Sequence, residues 1–286
     1  MNRALVLPMV GVALIAALVL GAGPSTAGKP KPPSWALHGS YSPKIDPANF
    51  VAAVDNRYFP LEPGTTFHYT GFKDKTPQID DMVVTRQTIR ILGVTCTVVR
   101  DTVSQHGKPI ERTFDWYAQD KQGNVWYMGE NALERQNGRF VRATDSWKAG
   151  VDGAKPGIIM RGNPKPNEVY RQEYYPPGGA LDQGRVLGLG VSVKVPYGTF
   201  TKSLATIEWS PVEPQFEKKY YVTGIGEAKE QVTQGGHERF ELVSVTRNRS
   251  SSTAVFPVTG NVGPSSSGSA SRSRWTRGGR RPEAAR

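Results

Sequence analysis

From Thr65 to Thr246 the chain is written as short runs rich in Val, Ile, Thr, Tyr, Phe and Trp, each cut off by Gly, Pro, Asp or Asn. Runs of this kind specify an antiparallel β-meander rather than an alternation of strands and helices. "TFHYTGF", "MVVTRQTIRILG", "VTCTVVRDTVSQ", "KPIERTFDWYAQD" and "NVWYMGE" come first. "EVYRQEYY", "VSVKVPYGTF", "SLATIEWSP", "KKYYVTG", "EAKEQVT" and "ERFELVSVT" follow. Two places break the pattern. "KIDPANFVAAVDNRYF" reads as one short helix, with Asp46 at the N-cap and Pro47 at the first helical position. "ALDQGRVLG" carries a weak helical signal, and residues 131–167, rich in Gly and Pro, read as a long loop.

The two ends differ from this middle. Met1, Asn2 and Arg3 precede an apolar run from Ala4 to Leu20, and Ser25 and Ala27 suit signal-peptidase cleavage after Ala27. An uncleaved anchor is the alternative for a run of this length. Either reading sends the chain out of the cytoplasm, to the medium or the cell envelope. Residues 28–44 then read as a Pro-rich linker, 45–246 as a single β-rich domain, and 247–286 as a disordered tail rich in Ser, Gly and Arg. The net charge of +11 belongs to the ends: residues 247–286 carry eight arginines against Glu283 alone. A tail of this charge fits contact with anionic wall polymer or a membrane surface. The β domain is close to neutral, which gives no reason to expect a specific nucleic-acid partner. Cys96 stands alone, so no intramolecular disulfide forms, and in "GVTCTVV" it reads as a small buried residue.

"FDWYAQDKQGNVWYMGE" (114–130) is the densest polar-aromatic segment. Asp120-Lys121-Gln122-Gly123 suits a type I turn followed by a left-handed Gly. Regular pairing then sets 118 opposite 126, 116 opposite 128 and 114 opposite 130. On that register Phe114, Trp116, Ala118, Trp126 and Met128 form the core face, and Asp115 and Glu130 point to opposite sides. The turn at His106-Gly107 sets Val98 opposite Asp115, with Arg100 on the diagonal. Arg100, Asp115, Tyr117, Gln119 and Tyr127 thus share a face of mixed polarity, which either lines a ligand cavity or is half covered by a loop. In "YRQEYY", Arg171 and Glu173 face the same way, as a polar binding cluster or a surface ion pair. Trp116, Trp126, Trp147 and Trp209 read mainly as core, and otherwise as a carbohydrate platform.

No histidines are spaced as metal ligands, and no P-loop, Rossmann or Gly-x-Ser-x-Gly pattern occurs. The expectation is therefore no metal and no cofactor, with catalytic residues unknown.

The segments "VDNRYFPLEPGTTFHYTG", "TCTVVRDTV", "DWYAQDKQGNVWYMGE", "GAKPGIIM" and "YRQEYY" resemble a group of secreted bacterial β-meander proteins with no settled function. From "VPYGTF" through "YYVTGIGEAKE" the chain is similar to the ending of several exported β-meander domains. The resemblance covers residues 41–246 and implies a barrel or strongly curved half-barrel of antiparallel strands; it implies no activity. This chain departs from the pattern at "YYPPGGALDQ", where a Glu is missing, and at Thr223-Gly224, which replaces Pro-Gly.

The expectation is thus an all-β, antiparallel meander, barrel or half-barrel, with one short N-terminal helix. It is secreted, monomeric and more readily a binding module than an enzyme. Its ligand is a small apolar, lipid-like or amphipathic molecule, or a glycan, held in or on the curved sheet. The alternatives are a polysaccharide-active enzyme using Asp/Glu chemistry, and a structural envelope protein attached through its basic tail.

Overall fold

The computed structural model describes residues 31–212 and 215–248. The expected signal segment, 1–27, and all of the expected tail except Arg247 and Asn248 lie outside the described residues. A 3-10 turn, Pro47–Asn49, precedes the strands β1 (Phe50–Val51), β2 (Thr65–Lys73), β3 (Thr76–Ile91), β4 (Val94–Gln105) and β5 (Lys108–Asp120). Next come β6 (Val125–Gln136), β7 (Arg139–Arg142), β8 (Lys155–Met160), β9 (Val169–Arg171) and β10 (Glu173–Tyr174). The chain closes with β11 (Gln183–Val195), β12 (Gly198–Trp209), β13 (Phe216–Val222), β14 (Gly226–Gln234) and β15 (Glu238–Arg247).

Two antiparallel meanders, β2 to β6 and β11 to β15, meet along the β2–β15 pair. At their other margins β8 lies on β6 and β9 lies on β11. The segment Val169–Tyr174 joins the margins: its first half pairs with β11, its second half with β8, and Gln172 alone separates them. The sheet is thereby nearly closed into a barrel, which leaves few strand edges exposed. The all-β antiparallel expectation holds.

The N-terminal helix is not formed. Asp46 does cap, its carboxylate accepting the Ala48 N–H at 3.0 Å, but the turn ends after three residues. Phe50 and Val51 then pair with Asp120 and Gln119 of β5, so tertiary pairing overrides the cap. "ALDQGRVLG" runs instead into β11. The expected long loop contains β7 and β8. Gly157 in β8 lies so close to the seam that a Cβ there would come within 2.2 Å of the Gln172 carbonyl, so the glycine marks close backbone approach rather than a turn.

Residues 54–61 fill one part of the interior. Val54, Tyr58, Phe59 and Leu61 are buried, and Phe59 packs on both Tyr117 (5.3 Å) and Tyr221 (6.3 Å). Gln119 pins this plug: its amide oxygen accepts the N–H groups of Asp55 (3.0 Å) and Asn56 (2.8 Å), and its amide nitrogen donates to the Asp55 carboxylate at 2.6 Å.

One glycine sets the register of the wall. At Gly129 (φ +133) a bulge interrupts β6, and the Glu130 N–H donates to the Trp147 carbonyl at 2.8 Å. A Cβ at 129 would lie 2.5 Å from that same oxygen. Gly129→Ala is therefore expected to destabilise the barrel by about 1–3 kcal/mol or more through strain alone. Urea unfolding measures this, and a midpoint equal to wild type would show that the bulge is not required.

Candidate functional site

Both hairpin turns form as expected. His106 (φ 51) and Gly107 (φ 71) take the two left-handed positions, and Gly123 (φ 81) follows the Asp120 turn. The Asp120 carboxylate accepts the N–H groups of Gln122 (3.0 Å) and Asn124 (2.9 Å) and the Trp126 indole N–H (2.8 Å). The faces do not follow the expected register. Near Pro109, which has no N–H to give the ladder, a bulge slips β5 by one residue, so Arg100 pairs with Phe114 and Val99 with Asp115. Arg100 therefore faces away from Asp115.

The bulge at Gly129 slips β6 in turn. Tyr117 still opposes Tyr127, but beyond the bulge Asp115 opposes Glu130. The two carboxylates expected on opposite sides share the barrel interior. Of the side chains expected to form the core face, Ala118 and Met128 are buried, but Phe114, Trp116 and Trp126 are only half buried, while Asp115, Tyr117 and Tyr127 are buried in the interior.

Tyr127 organises this part of the interior. Its hydroxyl lies 2.6 Å from Asp115 Oδ1 and 3.1 Å from Glu130 Oε2, its ring stacks on Tyr117 at 4.9 Å, and the Trp147 ring meets it edge-on at 5.3 Å. The Trp147 indole N–H donates to Glu173 Oε2 at 2.8 Å. Burial pushes the Asp115 carboxyl up to about 8, with the Asp101 charge adding to it and the Tyr127 hydroxyl opposing. Burial also holds Glu130 well above the usual carboxylate range, reinforced by Asp145, Glu173 and Asp115. Carboxyls in this state keep their protons at neutral pH.

A second cluster surrounds Lys219, which is fully buried. Its ammonium lies 3.2 Å from Glu208, 3.1 Å from Glu230 and 3.8 Å from Glu217. Burial alone would lower the lysine pKa, but the charges of Glu208 and Glu230 outweigh it and the net shift is upward. Asp80 and Asp101 lie on neighbouring strands of the same interior, and burial with the Asp101 charge holds Asp80 far above its ordinary value. Adjacent Asp81 lies outside, with its carboxylate 2.6 Å from His68 Nδ1.

A recess opens beside the plug, lined by Phe59, Pro60, Leu61, Phe67, Met82, Ile225, Gly226 and Glu227. A bulge between Tyr220 and Tyr221 turns Glu227 inward, in register with Tyr221. Its Oε2 is buried without a hydrogen-bond partner, and burial raises its pKa strongly against the opposing charge of Lys219. The recess thus combines apolar walls with one carboxyl that burial biases toward its protonated form.

Of the residues singled out from sequence, Asp115, Tyr117 and Tyr127 come together. Gln119 serves the plug, and Arg100 lies on the other face. Arg171 reaches outward, donating to the carbonyls of Leu37 and Gly39 (both 3.2 Å) beneath the rings of Tyr41 and Tyr174, while Glu173 reaches Trp147. Arg171 and Glu173 thus each hold a hydrogen-bond partner elsewhere in the structure. No tryptophan platform appears among the four named: Trp147 and Trp209 are buried, and Trp116 and Trp126 are half buried. Cys96 is buried as expected, its thiol pushed up to about 12 by burial. Sequence reasoning missed Lys219, Glu227 and Glu230, and named Glu208 only as one of several available carboxylates. The alternation Glu217, Lys219, Tyr221 was the available signal, but a polar alternation ordinarily marks a solvated face. Among the described residues, no three His, Cys, Asp or Glu side chains are grouped so as to hold a metal ion.

No protein-family profile and no curated protein matches the chain. Two solved structures superpose in part. One, a protein assigned to export with a YmcC-like fold from Bacteroides fragilis NCTC 9343, is 14% identical, with TM-score 0.35 over 67% of this chain and 100% of its own. The other, assigned as a lipoprotein from Parabacteroides distasonis ATCC 8503, is 12% identical, with TM-score 0.38 over 67% of this chain and 99% of its own. At this level of superposition neither likeness informs the chemistry of the interior.

The buried acids fix a direction of pH dependence. Burial raises Glu111, Asp115 and Glu238 to about 8 and Asp145 to about 6, all above their unfolded values, so the folded chain binds more protons than the unfolded one. The stability these groups contribute is fully present below their unfolded pKa values and is lost as pH rises through the folded ones. The melting temperature should fall between about pH 5 and about pH 9; a flat or rising profile in that window would contradict the assignment.

Proposed function

We propose that the protein is an exported binding barrel of the cell envelope that takes the apolar end of a small amphipathic ligand in the recess beside its plug. The observation that carries this reading is Glu227: a buried carboxyl with an unpartnered oxygen, at the edge of a recess walled by Phe59, Leu61, Phe67, Met82 and Ile225. Apolar walls with one placed polar group are the usual composition of a small-molecule site. A neutral carboxyl donates a hydrogen bond and suits a hydroxyl or carbonyl near the end of an acyl chain. The recess is small, so it engages a chain end rather than enclosing a whole lipid. Export rests on the short positive start, the apolar run and the small residues before position 28. Monomeric state and attachment through the basic tail belong to the same proposal.

A second reading has its own support. Asp115 and Glu130 face each other across one phenol, which is the placement that hydrolysis by paired carboxylates would use. Both are buried, so this enzyme reading requires the interior to open to substrate.

The test is amide chemical-shift titration with 1-decanol. Saturable shifts confined to the segments around the recess are expected, weakened about tenfold by Ile225→Arg, which fills the recess, and to a smaller degree by Glu227→Gln. Absence of saturable shifts, or shifts unchanged in Ile225→Arg, would refute the recess. Glycan hydrolysis by wild type that disappears in both Asp115→Asn and Glu130→Gln would establish the enzyme reading in its place.

A further inference from the structure

The acids of β4 to β7 are withdrawn from solvent. Asp101, Glu111, Asp115, Glu130 and Glu134 are buried on the inward side, and Asp120 is buried in its turn. The outward positions of the same strands therefore carry arginines without a carboxylate. Arg100 opposes Phe114, Arg112 opposes Leu133, Leu133 opposes Arg142, and Arg135 opposes Phe140. On β4 to β6 these positions alternate with buried ones, and β7 follows by register, so they share the outer face.

The register also gives the arginines an order. Arg100, Arg112 and Arg135 step diagonally, one strand across and two residues along each time. Diagonal neighbours of this kind stand about 7–8 Å apart. Arg142 flanks the row on β7. Neutral groups hold these cations in place: Arg142 donates to the Asn131 side chain at 3.2 Å and the Ser146 carbonyl at 3.1 Å, and the Arg112 guanidinium lies 4.5 Å from the Phe140 ring centroid. The Nε of Arg100 is buried without a hydrogen-bond partner. At the margin, Asp81 on β3 already lies against His68.

We infer that the outer face of β4–β7 docks a linear acidic polysaccharide whose carboxylates meet the row of arginines. The planar guanidinium matches a carboxylate bidentately, and a row of regular steps matches a polymer that repeats its charge. Phe114, Leu133 and Phe140 lie among the arginines and are half buried. They offer apolar ground for the C–H faces of sugar rings, but too little exposed surface to enter a lipid headgroup boundary. The arginine-rich C-terminal residues carry the same sign as this face, so charge excludes them as its occupant. The face shares no residue with the recess beside the plug, and its failure would leave the recess reading untouched.

The experiment is amide chemical-shift titration of the full chain with tetragalacturonic acid, read at the amides of β4 to β7 so that binding by the arginine-rich end is not counted. Saturable shifts are expected there, with none from the uncharged galactose tetramer. Arg112→Glu with Arg135→Glu should weaken binding about tenfold or more at unchanged melting temperature, since both side chains are exposed. Arg135→Glu alone should weaken it about threefold. The inference is overturned by absence of saturable shifts at β4 to β7, or by an affinity that both variants leave unchanged. Equal affinity for inorganic tripolyphosphate at the same amides would show that charge alone is read, and would also overturn it. Flotation on phosphatidylglycerol vesicles that falls in the same variants would put a membrane in place of the polysaccharide.

Discussion

Carboxylates inside a barrel must either hold protons or find cations, and among the described residues Lys219 is the one fully buried cation set against a large excess of buried acids. Leaving several of them ionised in a low-dielectric interior would cost more than the fold's whole stability. The structure meets this constraint in two ways. Around Lys219, Glu208, Glu217 and Glu230 converge on one ammonium. Around Tyr127, burial raises Asp115 and Glu130 until the neutral form is the stable one, and a single hydroxyl links the pair. A polar interior of this kind ties the closure of the wall to proton content. Glu173, which the segment Val169–Tyr174 brings to the seam, adds its charge to this cluster.

What the sequence disclosed and what it hid divide along locality. Both turns were legible because their determinants lie within four residues: Asp120 and Gly123 in one, His106 and Gly107 in the other. The faces were not, because one-residue bulges near Pro109 and at Gly129 reverse them, and the second depends on a carbonyl at Trp147 far along the chain. A one-residue slip exchanges the two faces of a strand completely. Hence Asp115 and Glu130, separated on a regular register, stand together, and Arg100 leaves the face it was expected to share. The helix expected after Asp46 failed for a similar reason: a good cap is local, while the pairing of Phe50 with Asp120 is not. The Gly- and Pro-rich middle read as loop because Gly157 serves close packing against Gln172 rather than a turn.

Function follows from which parts of the barrel remain unsatisfied. The Lys219 cluster sets one ammonium against Glu208, Glu217 and Glu230 and reads as structural. The recess beside the plug joins apolar walls to the unpartnered oxygen of Glu227.

The central claim is that interior carboxyls keep their protons in the folded barrel at neutral pH. Infrared spectroscopy in the carbonyl-stretch region tests it directly, since a protonated carboxyl absorbs apart from a carboxylate. The account predicts a protonated-carboxyl band at neutral pH that diminishes in Asp115→Asn and in Glu130→Gln and vanishes on unfolding. A spectrum showing only ionised carboxylates in the folded wild-type protein would contradict it.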